Sequence, residues 1–142
     1  MKSFLGDTML ETPYWPVRIE ALEVGDFVLC VDPKDWAQVW CEVTKVESDT
    51  DWAYLDLKFI SDKRIRVNEY GPPTFYTLRG WVTAENLTMD DDIYSADTDE
   101  FNQVLEGLDK IERVRDRIRF YSVTLKDFKG LGLIANNLLV RC

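Results

Sequence analysis

The sequence predicts an all-β fold. Three observations carry that prediction. Short runs rich in Val, Ile, Phe, Tyr and Trp recur about every eight to twelve residues, several of them alternate apolar with polar side chains, and Gly, Pro and Asp punctuate the gaps. Residues 16–22 lead into the turn Val24-Gly25-Asp26. Phe27-Val28-Leu29-Cys30-Val31 follows as a buried strand, ended by Asp32-Pro33. Residues 38–46 alternate loosely and 52–60 clearly, with Trp52, Tyr54, Leu55, Leu57 and Phe59 set among Asp and Lys. Residues 63–67 form another short strand, stopped by Gly71-Pro72-Pro73, and Phe75 to Leu78 with Gly80-Trp81-Val82 read as adjoining strands.

One segment departs from this pattern. Residues 90–100 hold six acidic side chains in eleven, and Phe101, Val104, Leu105, Leu108 and Ile111 then recur at helical spacing. The acidic residues ahead of them suit the positive end of a helix. The expectation is one short helix within an acidic insertion at about residues 89–112. Strand character returns at Ile118 and Phe120 to Leu125, and residues 131–140 close the chain as a turn and a final buried strand. No linker or repeat divides residues 1–142, which read as a single domain.

Composition narrows the function. With 46% apolar and 30% charged residues, the chain is globular in character. Seventeen basic against 26 acidic residues leave a net charge of −9, which repels phosphate backbones and disfavours nucleic acid as a partner. The sequence contains no His, so imidazole-dependent triads and His-ligated zinc are excluded. Three cysteines (Cys30, Cys41, Cys142) are too few for a disulfide framework or a thiolate metal site. No metal and no cofactor are expected. Cys30, between Leu29 and Val31, reads as core. No run suits a signal peptide or a membrane span, so a soluble cytoplasmic protein without membrane contact is expected.

Four blocks stand in a recognisable order. They are Ser3-Phe4-Leu5-Gly6-Asp7-Thr8-Met9-Leu10; residues 16–28, from Pro16-Val17-Arg18-Ile19 to Gly25-Asp26-Phe27-Val28; Gly80-Trp81-Val82-Thr83-Ala84-Glu85-Asn86-Leu87; and Phe120 to Leu125 followed by Leu133 to Cys142. Together they resemble the Hint domain of inteins, bacterial intein-like domains and the hedgehog autoprocessing region. The resemblance spans nearly the whole chain and implies a compact, twisted, horseshoe-shaped all-β fold whose ends meet at one central site.

The resemblance also exposes departures. In that family a Cys or Ser opens the domain and attacks the preceding carbonyl, and Ser3 matches this candidate nucleophile. A Thr-x-x-His motif then protonates the departing amide, and here Asn68 stands for the Thr and Gly71 for the His. Ser122 occupies the place of a family Asp, and Arg141-Cys142 replaces the terminal His-Asn whose Asn cyclises. A positioned general acid or base contributes roughly 10²–10⁴-fold, and two such groups are missing. Arg141 stays protonated and serves at most as an oxyanion donor. Cys142 has no carboxamide to cyclise. A sequence with two residues before Ser3 and none after Cys142 is expected to have nothing to splice.

These readings favour a catalytically degenerate Hint-fold protein that binds another protein through its acidic surface, which suits a basic partner. Trp36, Trp40, Asp90, Asp91 and Asp92 are the partner-binding candidates, and Trp15, Trp52 and Trp81 are expected in the core. Asp90 to Asp92 do not fit a calcium-loop pattern and read as a solvated acidic loop. The odd-numbered arginines of the 113–119 run are expected to share one strand face. Two alternatives remain: residual acyl shift at Lys2–Ser3, and an acidic mimic of nucleic acid that occupies a basic groove.

Overall fold

A computed structural model describes residues 2–99 and 102–141, with side chains described except at 98, 99, 102 and 103. Twelve strands follow one another: β1 (Phe4–Leu5), β2 (Met9–Leu10), β3 (Val17–Arg18), β4 (Phe27–Val31), β5 (Gln38–Phe59), β6 (Arg64–Asn68), β7 (Thr74–Thr77), β8 (Gly80–Thr83), β9 (Asp92–Asp99), β10 (Asn102–Leu125), β11 (Gly132–Ala135) and β12 (Leu138–Arg141). Two single 3-10 turns, Ile19–Ala21 and Ala84–Asn86, interrupt them. The all-β architecture is the one the sequence predicts. Its strands hydrogen-bond in the order β3-β2-β11-β4-β5-β6-β1-β10-β9-β12-β7-β8, and further β11–β12, β5–β10 and β9–β7 pairings close the sheet back on itself.

Two long strands organise the molecule. β5 joins the two alternating runs at 38–46 and 52–60 into one strand of 22 residues, and it pairs with β10 from Leu108 opposite Phe59 to Leu125 opposite Val43. Strands of this length cannot stay flat, because sheet twist accumulates along them. Irregularities in register between Arg115 and Ile118 and between Thr124 and Leu125 let the pair bend. The concave side takes the core, built on Phe4, Leu10, Leu57, Ile65, Phe75, Leu133 and Leu138, all fully buried. The two ends of the chain interlock there: Leu10 of β2 pairs with Ala135 of β11.

Among the described residues the expected helix is absent. Val104, Leu105, Leu108 and Ile111 lie on β10, and β9 and the start of β10 form an antiparallel pair woven into the sheet through β12 and β7; Phe101 lies outside the described residues. The reason is one buried carboxylate. Glu106 and Leu108 face inward, and Glu106 is buried because Lys63 Nζ donates to it at 2.8 Å, while Leu105 is partly exposed. A charged residue at an inward position erases the apolar alternation, and the remaining Val and Leu positions fall by chance on helical spacing.

The final hairpin has a local cause. Asn136 and Asn137 adopt φ of 48° and 63°, as the two-residue type I′ turn between β11 and β12 requires, and Asn tolerates that region better than most residues. Asn136 also binds across the fold. Its Oδ1 accepts from Met9 N at 2.7 Å, and its Nδ2 donates to the Arg64 carbonyl at 2.7 Å.

Candidate functional site

The candidate site forms where β1 enters the sheet. Phe4 pairs with Val67 of β6 on one side and Tyr121 of β10 on the other, which places Ser3 between the ends of those strands. Ser3 is fully buried. Its N–H donates to the Gly71 carbonyl at 3.1 Å, and its own carbonyl accepts from Asn68 N at 3.0 Å. Asn68 Nδ2 lies 3.3 Å from Ser3 Oγ and 3.2 Å from Asp51 Oδ2, while Asn68 Oδ1 accepts the Tyr70 N–H at 2.9 Å. Asn68 is thus the hub that ties the serine hydroxyl, the β6–β7 turn and the β5 carboxylate together.

The chemistry of this arrangement follows from its donors. A carboxamide Nδ2 donates and cannot accept, so Asn68 stabilises the Ser3 hydroxyl as an acceptor and withdraws no proton from it. Gly71 contributes a carbonyl where a side chain would be needed for acid catalysis. Ser122, next to the Tyr121 that pairs with Phe4, lines a cleft of about 430 Å³ together with Lys2, Glu47 and Phe128. Three of the positions where the resemblance exposes departures therefore converge around Ser3: Asn68 and Gly71 by direct bonds and Ser122 by strand register. Asp51 was not singled out from the sequence. It lies 17 residues from Asn68, and only the β5 register brings it into reach.

The remaining positions go elsewhere. Arg141 Nε donates to the Leu131 carbonyl at 3.2 Å, and its guanidinium lies 4.0 Å from the Trp81 ring centre. That stacking commits the charge to a cation–π contact. Cys142 lies outside the described residues.

The acidic and aromatic candidates separate in the same way. Asp90 is exposed and Asp92 partly so, but Asp91 is buried beneath Arg79, whose Nε and Nη2 donate to its two carboxylate oxygens at 2.7 and 2.9 Å. Arg79 holds the Asp91 carboxyl at about 2, below its usual range, against the opposing effect of burial and with help from Thr88. Asp91 is a clamp on the turn after β8, so the three aspartates do not act as one loop. Trp36 is packed, not displayed: its ring sits 5.1 Å from Tyr94 and 6.2 Å from Tyr76, which in turn meets Trp81 at a tilt with ring centres 4.9 Å apart. Its φ of 61° is unusual for a bulky residue and is held by Trp36 N donating to the Asp32 carbonyl at 2.7 Å. Trp40 is exposed, as anticipated, whereas Trp15 and Trp52, expected inside, are exposed at 67% and 64%. Cys30 is buried.

The arginine run is divided by the irregular register after Arg115. Arg113 pairs with Glu69 at 2.5 Å, Arg117 lies over the Trp52 ring at 5.5 Å, and Arg119 Nη1 donates to Ser48 Oγ at 3.1 Å. Among the described residues, no helix is long and apolar enough to cross a membrane.

A sheet closed on itself by two long bent strands, with the first strand inserted beside a buried Ser at the centre, defines the intein-like Hint fold. The chain is similar to a DnaB intein from Synechocystis sp. PCC 6803, with a TM-score of 0.84 and 16% identity over 100% of this chain and 99% of that one. A bacterial intein-like domain from Clostridium thermocellum matches with a TM-score of 0.82 and 19% identity, over 99% of this chain and 98% of that one. The gp41-1 intein matches at 0.78 and 20%, over 100% and 99%. No protein-family model matches the sequence, and no curated protein matches it significantly.

Proposed function

We propose that this chain is a catalytically degenerate Hint-fold protein that acts by binding another protein through its acidic surface. The observation that supports the loss of chemistry is the company Ser3 keeps. An amide from Asn68 and a carbonyl from Gly71 occupy the places where the resemblance calls for Thr and His, and the sequence contains no His. A serine hydroxyl is a weak nucleophile, and no imidazole is present to activate it. A net charge of −9 supports a basic partner, drawn in by an attraction that weakens with salt.

Intact mass over hours, with and without hydroxylamine or thiol, tests the first half. An unchanged mass is expected. Loss of both Met1 and Lys2, accelerated by the nucleophile and abolished by Ser3→Ala, would establish residual acyl shift instead. That second reading has one observation in its favour: Ser3 Oγ is already enclosed and fixed by a donor at 3.3 Å. A pull-down at low salt tests the second half. Partners released by DNA in competition would turn the reading toward a nucleic-acid mimic.

A further inference from the structure

A second surface, lined by none of the residues gathered around Ser3, has the build of a docking cleft. Residues 12–16 read Thr-Pro-Tyr-Trp-Pro, and the two prolines restrict the backbone on either side of the aromatic pair. Thr12 Oγ1 completes the turn: it donates to the Trp15 carbonyl at 2.6 Å and accepts from Trp15 N at 3.3 Å. The turn therefore holds its shape while both rings stand in solvent, with Tyr14 exposed at 83%. A fixed aromatic pair loses little conformational freedom when it is covered.

The rings border a cleft of about 560 Å³ whose lining includes Val17, Phe27, Glu23 and Asp26. Asp26 is occupied in part, accepting Glu23 N–H at 2.8 Å. The Glu23 carboxylate has no ion-pair partner among the described residues. No basic side chain lines the cleft. On the same face, Leu29 of β4 lies opposite the exposed Trp40 of β5, which extends the apolar surface beyond Phe27.

The geometry points to a docking site for an extended segment of another protein in which Arg alternates with bulky aliphatic side chains. The guanidinium suits an exposed indole beside a carboxylate, stacking on Trp15 and pairing with Glu23. The aliphatic neighbour fills the cleft against Phe27 and Val17. A second copy of this chain is disfavoured as occupant, because it would bring Glu23 and Asp26 against a molecule of the same −9 charge. The inference rests on the protein-binding reading and gives it a place and a partner chemistry.

The test uses a fluorescein-labelled peptide with two Arg and two Leu in alternation between Gly-Ser ends, and a twin carrying Glu for each Arg. Fluorescence anisotropy with the full chain should show binding of the Arg peptide, weakened by about tenfold or more in each of Trp15→Ala and Glu23→Gln. Trp52→Ala, at an exposed Trp elsewhere, should leave the affinity unchanged, and near-ultraviolet circular dichroism confirms that every variant is folded. No binding by the wild type, equal binding of both peptides, or equal affinity in all variants would overturn the site. A parallel low-salt pull-down with wild type and the Trp15→Ala/Glu23→Gln double variant separates the two levels. Proteins held equally by both would leave the binding reading standing and the site refuted. Nothing held by either, beside a peptide that does bind, would refute the binding reading alone.

Discussion

Asn68 shows how much of the corner around Ser3 rests on one side chain. Its carboxamide makes three bonds, to Ser3 Oγ, Asp51 Oδ2 and Tyr70 N. Asn68→Ala removes these three bonds from a buried or half-buried corner and should lower stability by about 1–3 kcal/mol in urea titrations, without releasing Lys2. Thr8 is the opposite case. Its Oγ1 is buried with no hydrogen-bond partner among the described residues, so Thr8→Val should raise the unfolding free energy from urea titrations by about 1 kcal/mol. Asp91 sets a pH dependence. Its folded pKa is depressed from 3.8 to about 2, so the stabilisation is complete above the unfolded value and disappears as pH falls through about 2. Because Arg79 stands more than half in solvent, screening holds the contribution to about 1 kcal/mol at neutral pH. The stability gap between wild type and Asp91→Asn should therefore narrow between pH 4 and pH 2. None of these three roles was visible in the sequence, because each depends on which groups the fold places opposite the residue.

Elements were legible where local pattern and long-range pairing agree. β4 and the ends of β6 to β8 follow from apolar runs and Gly or Pro stops, since a half-buried strand and its turns write their own period. β10 was misread over its first third. There the inward position is Glu106, a buried carboxylate tolerated only because Lys63 reaches across from the β5–β6 turn. That partner is 43 residues away. The closing hairpin makes the element-scale prediction. Asn136→Ala places Ala at a φ of 48° and also removes the bonds to Met9 and Arg64, so it should cost about 2–3 kcal/mol. Asn136→Gly relieves the backbone alone, and the difference between the two variants in urea unfolding isolates the strain.

For the whole molecule, the four ordered blocks carried the fold; within it Ser3 bonds to Asn68 and Gly71, and Ser122 lies one register step away. What the blocks could not convey was where each loose charge and ring would be spent. Arg141 is stacked on Trp81, Asp91 is clamped by Arg79 and Trp36 is packed on Tyr94, whereas Trp15 and Tyr14 stand outside. Partner capture at the acidic surface should fall steeply between about 0.05 and 0.5 M salt, as the screening length shrinks below the size of a side chain cluster. Retention that is insensitive to salt would place the interaction on apolar contact alone.

The bond between Met9 and Asn136 spans 127 residues. During synthesis the second strand emerges early and then waits, its edge unpaired, until the last hairpin leaves the ribosome. Closure is therefore a late and non-local event, and such topologies assemble slowly relative to helical chains of equal size. In a crowded cell the waiting edge is a place where a chaperone, or a neighbouring nascent chain, can intervene before the ring shuts.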